Sequence, residues 1–211
     1  MARTINSLKV YKDIRMAKIF LLGIISGFPW VLIATGLSLW LKEEGLSRST
    51  IGWAGLIFSV YAINFLWAPI IDNLKIPFLF SRLGRRKSWI IVCQLIILLS
   101  LLTWSQINPA NSLQVIIGVG LIIAIFSATQ DIAIDALRIE QIEKQEKETM
   151  AAGAAMAVIG WWTGYKVGGV VALYLAEMLQ AMGYDNYWEI TFSLLCCVLL
   201  LSSWALLTVK E

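Results

Sequence analysis

Long apolar runs constrain this chain more than any other feature, because they recur along almost its whole length. Each has about the 17–25 residues that a helix needs to cross a hydrocarbon core of roughly 30 Å. Backbone polar groups find no water in lipid, so such runs must be helical. The sequence therefore predicts an all-α membrane protein in which six transmembrane helices fill residues 19–209, after a segment of residues 1–18. The six predicted helices cover residues 19–41, 51–71, 89–107, 113–134, 150–176 and 190–209.

The composition excludes several other classes of protein. Hydrophobic residues make up 59% of the chain and charged residues 15%, with a mean hydropathy of +0.75. Soluble domains carry far more charge. The sequence has no histidine, and its three cysteines lie inside apolar runs. We therefore expect no metal site, no cofactor, no disulfide and no nucleic-acid partner.

The basic residues predict the orientation in the membrane. Of 17 Lys and Arg residues, five precede the first apolar run, five join the second to the third, three join the fourth to the fifth, and Lys210 follows the last. Fourteen thus lie on one side, and only Lys42 and Arg48 lie in the opposite loops. The positive-inside rule places that basic side in the cytoplasm. We expect both termini there.

Two carboxylates interrupt the fourth apolar run near its end. Asp131 and Asp135 share a helix face with Ser127 and Arg138, since residues three and four apart are neighbours. Carboxylates inside a membrane are costly and usually functional. An ion pair between Asp135 and Arg138 would be a purely structural explanation for Asp135. For Asp131, which follows Gln130 and lies deeper, a cavity-lining or proton-handling role is favoured.

Lys166 is the other charge within an apolar run. It lies too far along the fifth helix from Asp131 to form an ion pair with it. Its predicted face includes Trp162 and is opposite the small residues Gly160, Gly164 and Gly168, which predict close packing with another helix. Lys166 is therefore a candidate contact for an anionic substrate, or a lysine hydrated in a wide cavity.

Other residues within the apolar runs indicate bends in the helices and positions at the boundary between membrane and water. Gly23, Gly27 and Pro29 suggest a kink in the first helix, as Pro69 does in the second. Tryptophans favour the boundary between membrane and water. Some of them are expected in such a belt, and the deeper Trp67, Trp161 and Trp162 could stack on a sugar or simply pack. The expected belt consists of Trp40, Trp89, Trp104 and Trp188.

Four stretches resemble one family of transporters. FLWAPIID followed by LGRRKSWII resembles the loop motif of the major facilitator superfamily, in the form found in AmpG-type muropeptide permeases. SGFPWVLIATGLSLWL, ATQDIAIDALRIE and GAAMAVIGWWTGYKVGGVVALYLAE are similar to the same family. The resemblance runs from about residue 21 to residue 207. It implies import of anhydro-muropeptides from peptidoglycan turnover by proton symport across a bacterial inner membrane. From the position of the carboxylates we expect Asp131 to be the coupling residue, supported by Gln130 and Asp135.

The resemblance also assigns a role to the second loop. It implies a cytoplasmic latch between the two halves of a transporter, in which Asp72 faces a cluster of cations. Those cations could instead enforce topology and bind anionic lipid headgroups. The motif residues are Asp72, Gly84, Arg85, Arg86 and Lys87.

The chain departs from the family pattern at positions where a substrate would be bound. Asn64 replaces a frequent lysine and Trp162 a frequent arginine, and Lys166 restores one positive charge. We expect Lys166, Asn64, Trp162 and Trp161 to line the substrate path. The length matches one six-helix half, so we expect a second half, as a homodimer or a separate chain, or else a truncated relic.

Three classes of function remain open on the sequence. The first is a carrier of anhydro-muropeptides, or of another anionic solute such as acyl-coenzyme A or a peptide. The second is a six-helix scaffold without transport. The third, an intramembrane aspartyl protease, is disfavoured because Asp131 and Asp135 lie on one helix and no GxGD motif occurs. We expect no enzymatic activity.

Overall fold

The structure, a computed structural model, describes residues 10–77, 79–143, 145–206, 209 and 211. Within these ranges the regular elements are all helical. α6 contains one residue with non-helical backbone angles, Ser112 (φ −143°, ψ 36°), at a kink near its beginning. The helices are α1 (Ile14–Glu43), α2 (Arg48–Leu66), α3 (Ala68–Asn73), α4 (Phe80–Leu83), α5 (Arg85–Trp104), α6 (Pro109–Glu140), α7 (Lys147–Ala181) and α8 (Tyr187–Leu206).

The predicted class of an all-α membrane protein is confirmed. Among the described residues, five helices are long and apolar enough to cross a membrane: α1, α2, α5, α6 and α8. The predicted run 150–176 lies inside α7, which has 35 residues but is not one of these five. A crossing by α7 therefore stays a prediction. Most helices are longer than the predicted apolar runs, because polar residues at their ends are helical as well.

α1 and α7 form the most extensive contact in the bundle. A Cβ atom on Gly160 would lie 2.2 Å from the Phe20 carbonyl oxygen, and one on Gly27 would lie 2.1 Å from the Trp161 carbonyl oxygen. Only glycine allows two backbones to approach so closely. The predicted packing role of the glycine face is confirmed, with α1 as the partner helix.

α1 is interrupted halfway along its length. Residues 14–30 are α-helical, Val31–Gly36 form a π-helical turn, and Leu37–Glu43 resume the α-helix. Pro29 has no backbone N–H to donate, so the regular ladder is broken immediately before the wide turn. Single π turns of this kind occur frequently at functional sites. The interruption follows Trp30 directly, which fixes the direction in which that side chain points.

α2 and α3 form a broken helix that packs mainly on α6. Two short 3₁₀ segments, Gly55–Phe58 and Asn64–Leu66, interrupt α2. Pro69 lies in the first turn of α3, where the absence of its N–H is tolerated. The predicted bend of the second helix therefore lies at residues 64–67, just before this proline.

The two ends of the bundle differ in chemistry. The basic end holds the beginnings of α1, α5 and α7 and the ends of α3 and α6, joined by ion pairs. The aromatic end holds the end of α1 and the beginning of α8, where Glu43 accepts hydrogen bonds from Tyr187 and Trp188.

The prediction that Trp40, Trp104 and Trp188 belong to a belt at the membrane boundary is wrong. Trp40, Trp104 and Trp188 are at most 1% exposed and surround Phe192, with ring centroids 4.9–5.6 Å from it. The indole N–H of Trp104 donates to the Ile116 carbonyl oxygen inside the bundle. These three rings are core residues of the aromatic end, because large rings fill the space where helices α1, α5 and α8 meet.

Candidate functional site

Asp131 lies on the face of α6 that meets α1. Its carboxylate accepts a hydrogen bond of 2.6 Å from the Ser26 hydroxyl, across 105 positions of sequence. Ser26 belongs to the α1 turn between Gly23 and Gly27, where α7 is also in close contact. No cation lies within ion-pair distance of Asp131 in the described part of the chain. The carboxylate is therefore held by a neutral hydroxyl, with no opposite charge beside it among the described residues.

A cavity of about 340 Å³ opens beside Asp131, between α1, α6 and α7. Its polar lining comes from Ser26, Asp131, Asp135 and Arg138, and Trp161 lines it as well. Small and apolar side chains form the rest of the wall: Gly23, Ile134, Ala154, Ala157 and Val158. The sequence correctly placed Asp131 and Asp135 on one face, and the structure adds that this face borders open space.

Asp135 and Arg138 form the structural ion pair that the sequence offered as the alternative. The guanidinium donates to one Asp135 oxygen at 2.9 Å, and the Asp135 side chain is 65% exposed. The pair lies at the mouth of the cavity, on the side of the basic end. Asp135 therefore has a local partner of opposite charge, which Asp131 lacks.

Gln130 is fully buried and is not among the residues that line the cavity. Its side-chain amide donates to the Ile25 carbonyl oxygen at 3.1 Å, a bond from α6 to the backbone of α1. This bond fixes the position of α6 against α1 one residue before Asp131. Gln130 thus supports the carboxylate by holding its helix.

Buried polar atoms without a hydrogen bond within the described residues lie next to this site. They belong to the hydroxyls of Tyr61 and Ser127 and to the indole N–H of Trp30. Ser127 is one turn from Asp131 on α6, and Trp30 is one turn from Ser26 on α1. A buried polar group without a partner costs about 1–3 kcal/mol. Trp30 and Tyr61 are in ring contact, with centroids 4.5 Å apart, so these groups lie where α1, α2 and α6 meet.

Lys166 and Trp162 lie together on the exposed face of α7. The Lys166 ammonium is 5.2 Å from the centre of the Trp162 ring, a cation–π contact, and Trp162 is 48% exposed. Trp161 contacts Trp162 and also lines the Asp131 cavity, with ring centroids 5.1 Å apart. The candidate substrate residues of α7 therefore continue from the cavity along one helix.

Asn64 lies apart from the other candidate residues. It begins the 3₁₀ turn at the end of α2, where its carbonyl oxygen accepts the N–H of Trp67. Trp67, the other deep tryptophan, donates to the Thr129 hydroxyl at 3.0 Å and packs against the core. The structure brings Trp161, Trp162 and Lys166 together, but it places neither Asn64 nor Trp67 with them.

The predicted latch residues gather at the basic end around one arginine. Arg86 is 8% exposed, donates to Asp72 at the end of α3, and lies 3.4 Å from a carboxylate oxygen of Glu140 at the end of α6. Asp72 and Glu140 retain about half of their side-chain exposure. The network joins three helices, and sequence reasoning missed Glu140 because nothing local pairs it with Arg86.

The beginning of α5 binds a carboxylate. Gly84 has φ of +86°, and the backbone N–H groups of Arg86 and Lys87, two and three residues later, donate to the Glu211 side chain at 2.8 and 2.9 Å. The Lys87 ammonium donates to the Val209 carbonyl oxygen at 2.8 Å. Gly84 and Lys87 thus hold the segment that follows α8, whereas Arg85 makes no ion pair within the described ranges.

These geometries agree with what a search for related proteins found. A family model described as Major Facilitator Superfamily matches residues 19–211. The chain belongs to the major facilitator superfamily. Within that superfamily, relatives named for muropeptide transport are similar to it over most of its length.

Three of these major facilitator relatives are informative. A candidate transporter named AmpG 4, from Rickettsia felis, is 39% identical over 96% of this chain and 47% of its own length. The anhydromuropeptide permease of Escherichia coli K12 is 31% identical over 91% of this chain and 38% of its own length. A candidate transporter named AmpG 3, from Rickettsia prowazekii, is 36% identical over 78% of this chain and 39% of its own. The chain spans less than half the length of these relatives.

Proposed function

We propose that this chain forms six helices of a bacterial inner-membrane permease that imports anhydro-muropeptides, or a closely related anionic amino-sugar conjugate, together with protons. The observation that carries the proposal is the Asp131 carboxylate, which lines a cavity between α1, α6 and α7 and, among the described residues, has only the Ser26 hydroxyl as its hydrogen-bond partner. Similarity to the anhydromuropeptide permease of Escherichia coli supports the choice of substrate.

Asp131 is the proposed proton site. The chain has no histidine, so a carboxylate must bind a coupled proton in a membrane at neutral pH. Asp135 forms an ion pair with Arg138. Asp131 has no such neighbour at ion-pair distance within the described residues. Asp135 and Gln130 then act as supporting residues, at the cavity mouth and at the α1 contact.

The proposed substrate path follows α7 from the cavity. Trp161 borders the cavity, and Trp162 and Lys166 continue on the same helix toward the aromatic end. Aromatic rings offer stacking surfaces for a sugar, and an ammonium attracts its carboxylate. Asn64 contributes to the path only if the ligand also reaches the end of α2.

Orientation and assembly follow from the same argument. The positive-inside rule puts the basic end, and both chain termini, in the cytoplasm. The exposed face of α7 holds Lys166, and a charge facing lipid is costly. We propose that a second six-helix unit, on the same polypeptide or another, covers this face. Asp72, Arg86 and Glu140 then hold the basic end together when the cavity is closed on the cytoplasmic side.

The test is uptake of labelled anhydro-muropeptide by bacteria that lack their own permease. The chain is expressed alone and together with the other six helices of a related permease as a separate polypeptide. Concentrative uptake in either case, abolished by a protonophore, supports the proposal. Absence of uptake in both cases, with the protein present in the membrane, argues for another solute or a role without transport.

A matched pair of variants tests the proton site. Asp131→Asn is expected to reduce concentrative uptake at least tenfold, because an amide cannot release a proton at neutral pH. Asp135→Asn, four residues later on the same face, is the comparison and is expected to reduce uptake less than Asp131→Asn does, because Asp135 only supports the proton site. Normal uptake by Asp131→Asn, with proton entry preserved, would remove the coupling role from Asp131.

A further inference from the structure

The connection between α3 and α5, residues 74–84, lies at the end of a membrane-spanning helix. The structure describes all of these residues except residue 78. α5 is long and apolar enough to cross a membrane, and it begins at Arg85, directly after the connection. The indole N–H of Trp89 donates to the Leu74 carbonyl oxygen, and the Gly84 N–H donates to the Phe80 carbonyl oxygen, both at 3.1 Å. The connection is therefore held at the level where lipid headgroups meet the end of α5.

The surface of the connection exposes apolar side chains. Leu74 is 53% exposed and Phe80 is 37% exposed, with the Lys75 ammonium 4.7 Å from the centre of the Phe80 ring. Such side chains are costly to expose to water, but they can enter the boundary between lipid headgroups and acyl chains. The connection also borders an open cavity of about 690 Å³, lined by Leu79, Ser81, Arg82 and Leu83.

The charges of this region are all of one sign. Residues 74–88 include five basic residues and no acidic residue. Arg86 and Lys87 are engaged in the contacts of the basic end described above. Lys75, Arg82 and Arg85 have no carboxylate within ion-pair distance among the described residues. The Arg85 Nε atom is buried and has no hydrogen-bond partner there. Three positive charges are thus available to an anion from outside this chain.

We infer that the connection binds an anionic phospholipid, with Arg82 and Arg85 at its phosphate and the leucines of the cavity against its acyl chains. A guanidinium group matches a phosphate with two parallel N–H donors. Basic residues next to a spanning helix attract anionic lipid, each by about fivefold in affinity. A lipid fits better than an acidic protein segment, because exposed apolar side chains and unpaired cations meet here at the depth where headgroup and acyl chains join. The inference does not depend on which solute the protein carries.

The test is native mass spectrometry of the full chain in a neutral detergent, titrated with phosphatidylglycerol or phosphatidylcholine that have the same acyl chains. The wild-type protein is expected to bind the anionic lipid about twentyfold more tightly, since two guanidinium groups contribute about fivefold each. The double variant Arg82→Gln with Arg85→Gln is expected to lose most of this preference. Its affinity for phosphatidylcholine should remain unchanged, which also shows that the protein is still folded. Arg82→Lys with Arg85→Lys keeps the charges and is expected to keep part of the preference.

The matched control removes two exposed cations from the other end of the bundle. Lys42→Gln with Arg48→Gln changes the net charge equally and is expected to leave the lipid preference intact. Leu79→Ser is expected to weaken both lipids. Equal affinities of the wild-type protein for the two lipids, or an equal loss of preference in the control, would overturn the inference. Displacement of phosphatidylglycerol by millimolar inorganic phosphate would also overturn it, because a free anion would then be sufficient.

Discussion

The charges at the basic end and the charge of Asp131 in the bundle differ in their partners. At the basic end, Arg86 is surrounded by carboxylates, with Asp72 and Glu140 on either side. In the bundle, Asp131 has no cation at ion-pair distance among the described residues and is held by the Ser26 hydroxyl. At the basic end each of these carboxylates has a cation as its partner, whereas Asp131 has a neutral hydroxyl as its partner.

This difference separates charges that stabilise the fold from charges that serve a function. A paired charge contributes to stability as long as both partners remain, and removing one leaves the other unsatisfied. An unpaired carboxylate in a membrane lowers stability and persists for another reason. A variant that removes the charge of Arg86 should therefore lower the free energy of unfolding. A variant that removes the charge of Asp131 should leave it unchanged or raise it.

The largest loss of stability is expected for Arg86→Gln. The variant leaves two carboxylates without their shared cation at the junction of α3, α5 and α6, at a cost of about 2 kcal/mol. Thermal unfolding in detergent measures the effect. Arg85→Gln is the matched control, since the neighbouring guanidinium makes no ion pair within the described ranges. Equal losses in both variants would show that Arg86 stabilises the protein only through its positive charge and not through its contacts with Asp72 and Glu140.

Asp131→Asn is expected to leave thermal stability unchanged or to raise it by up to about 1 kcal/mol. The amide oxygen still accepts the Ser26 hydrogen bond, and the variant no longer pays for a charge in the bundle. The same unfolding experiment gives the answer, alongside the uptake assay. A clear loss of stability would mean that the Asp131 charge helps to hold α6 against α1 and is therefore structural.

Much of the fold could be predicted from the sequence, because the membrane requires long apolar helices and small residues where helices touch. Asp131 could be singled out for the same reason, as a charge in an apolar run. Its partner could not, since Ser26 lies 105 positions away on α1. Trp40, Trp104 and Trp188 were misplaced because composition gives depth in the membrane but not which neighbour buries a ring.

A smaller effect is expected for Glu211→Gln. The Glu211 carboxylate accepts the backbone N–H groups of Arg86 and Lys87 at the beginning of α5, where the helix dipole favours negative charge. Replacing it with a neutral amide is expected to cost about 0.5 kcal/mol. Combining Glu211→Gln with Arg86→Gln in a double-mutant cycle shows whether the two contacts are coupled. Additive losses would mean that the segment after α8 binds independently of the Asp72 and Glu140 network.

The smallest effect concerns the other ion pair of the basic end, between Arg15 on α1 and Glu146 before α7. Two parallel hydrogen bonds of 2.8 Å from the guanidinium lower the pKa of Glu146 from 4.5 to about 2. Because the pKa is depressed in the folded protein, the stabilisation is fully present above pH 4.5 and is lost as the pH falls toward 2. The unfolding temperature of the wild-type protein should therefore fall more steeply over this interval than that of Glu146→Gln.

Asp13 also contributes to the pH dependence of stability in both the wild-type protein and Glu146→Gln. Its pKa is lowered by the same guanidinium, so it contributes a decline of the same sign in both proteins. The difference between the wild-type and Glu146→Gln curves isolates the bond to α7. Parallel curves would mean that this partly exposed pair contributes nothing measurable, as many surface ion pairs do. The packing of α1 on α7 would then depend on the glycine contacts and on the apolar cluster that contains Met16, Ile19 and Ala152, and the basic end would owe its stability to the partly buried Arg86 network.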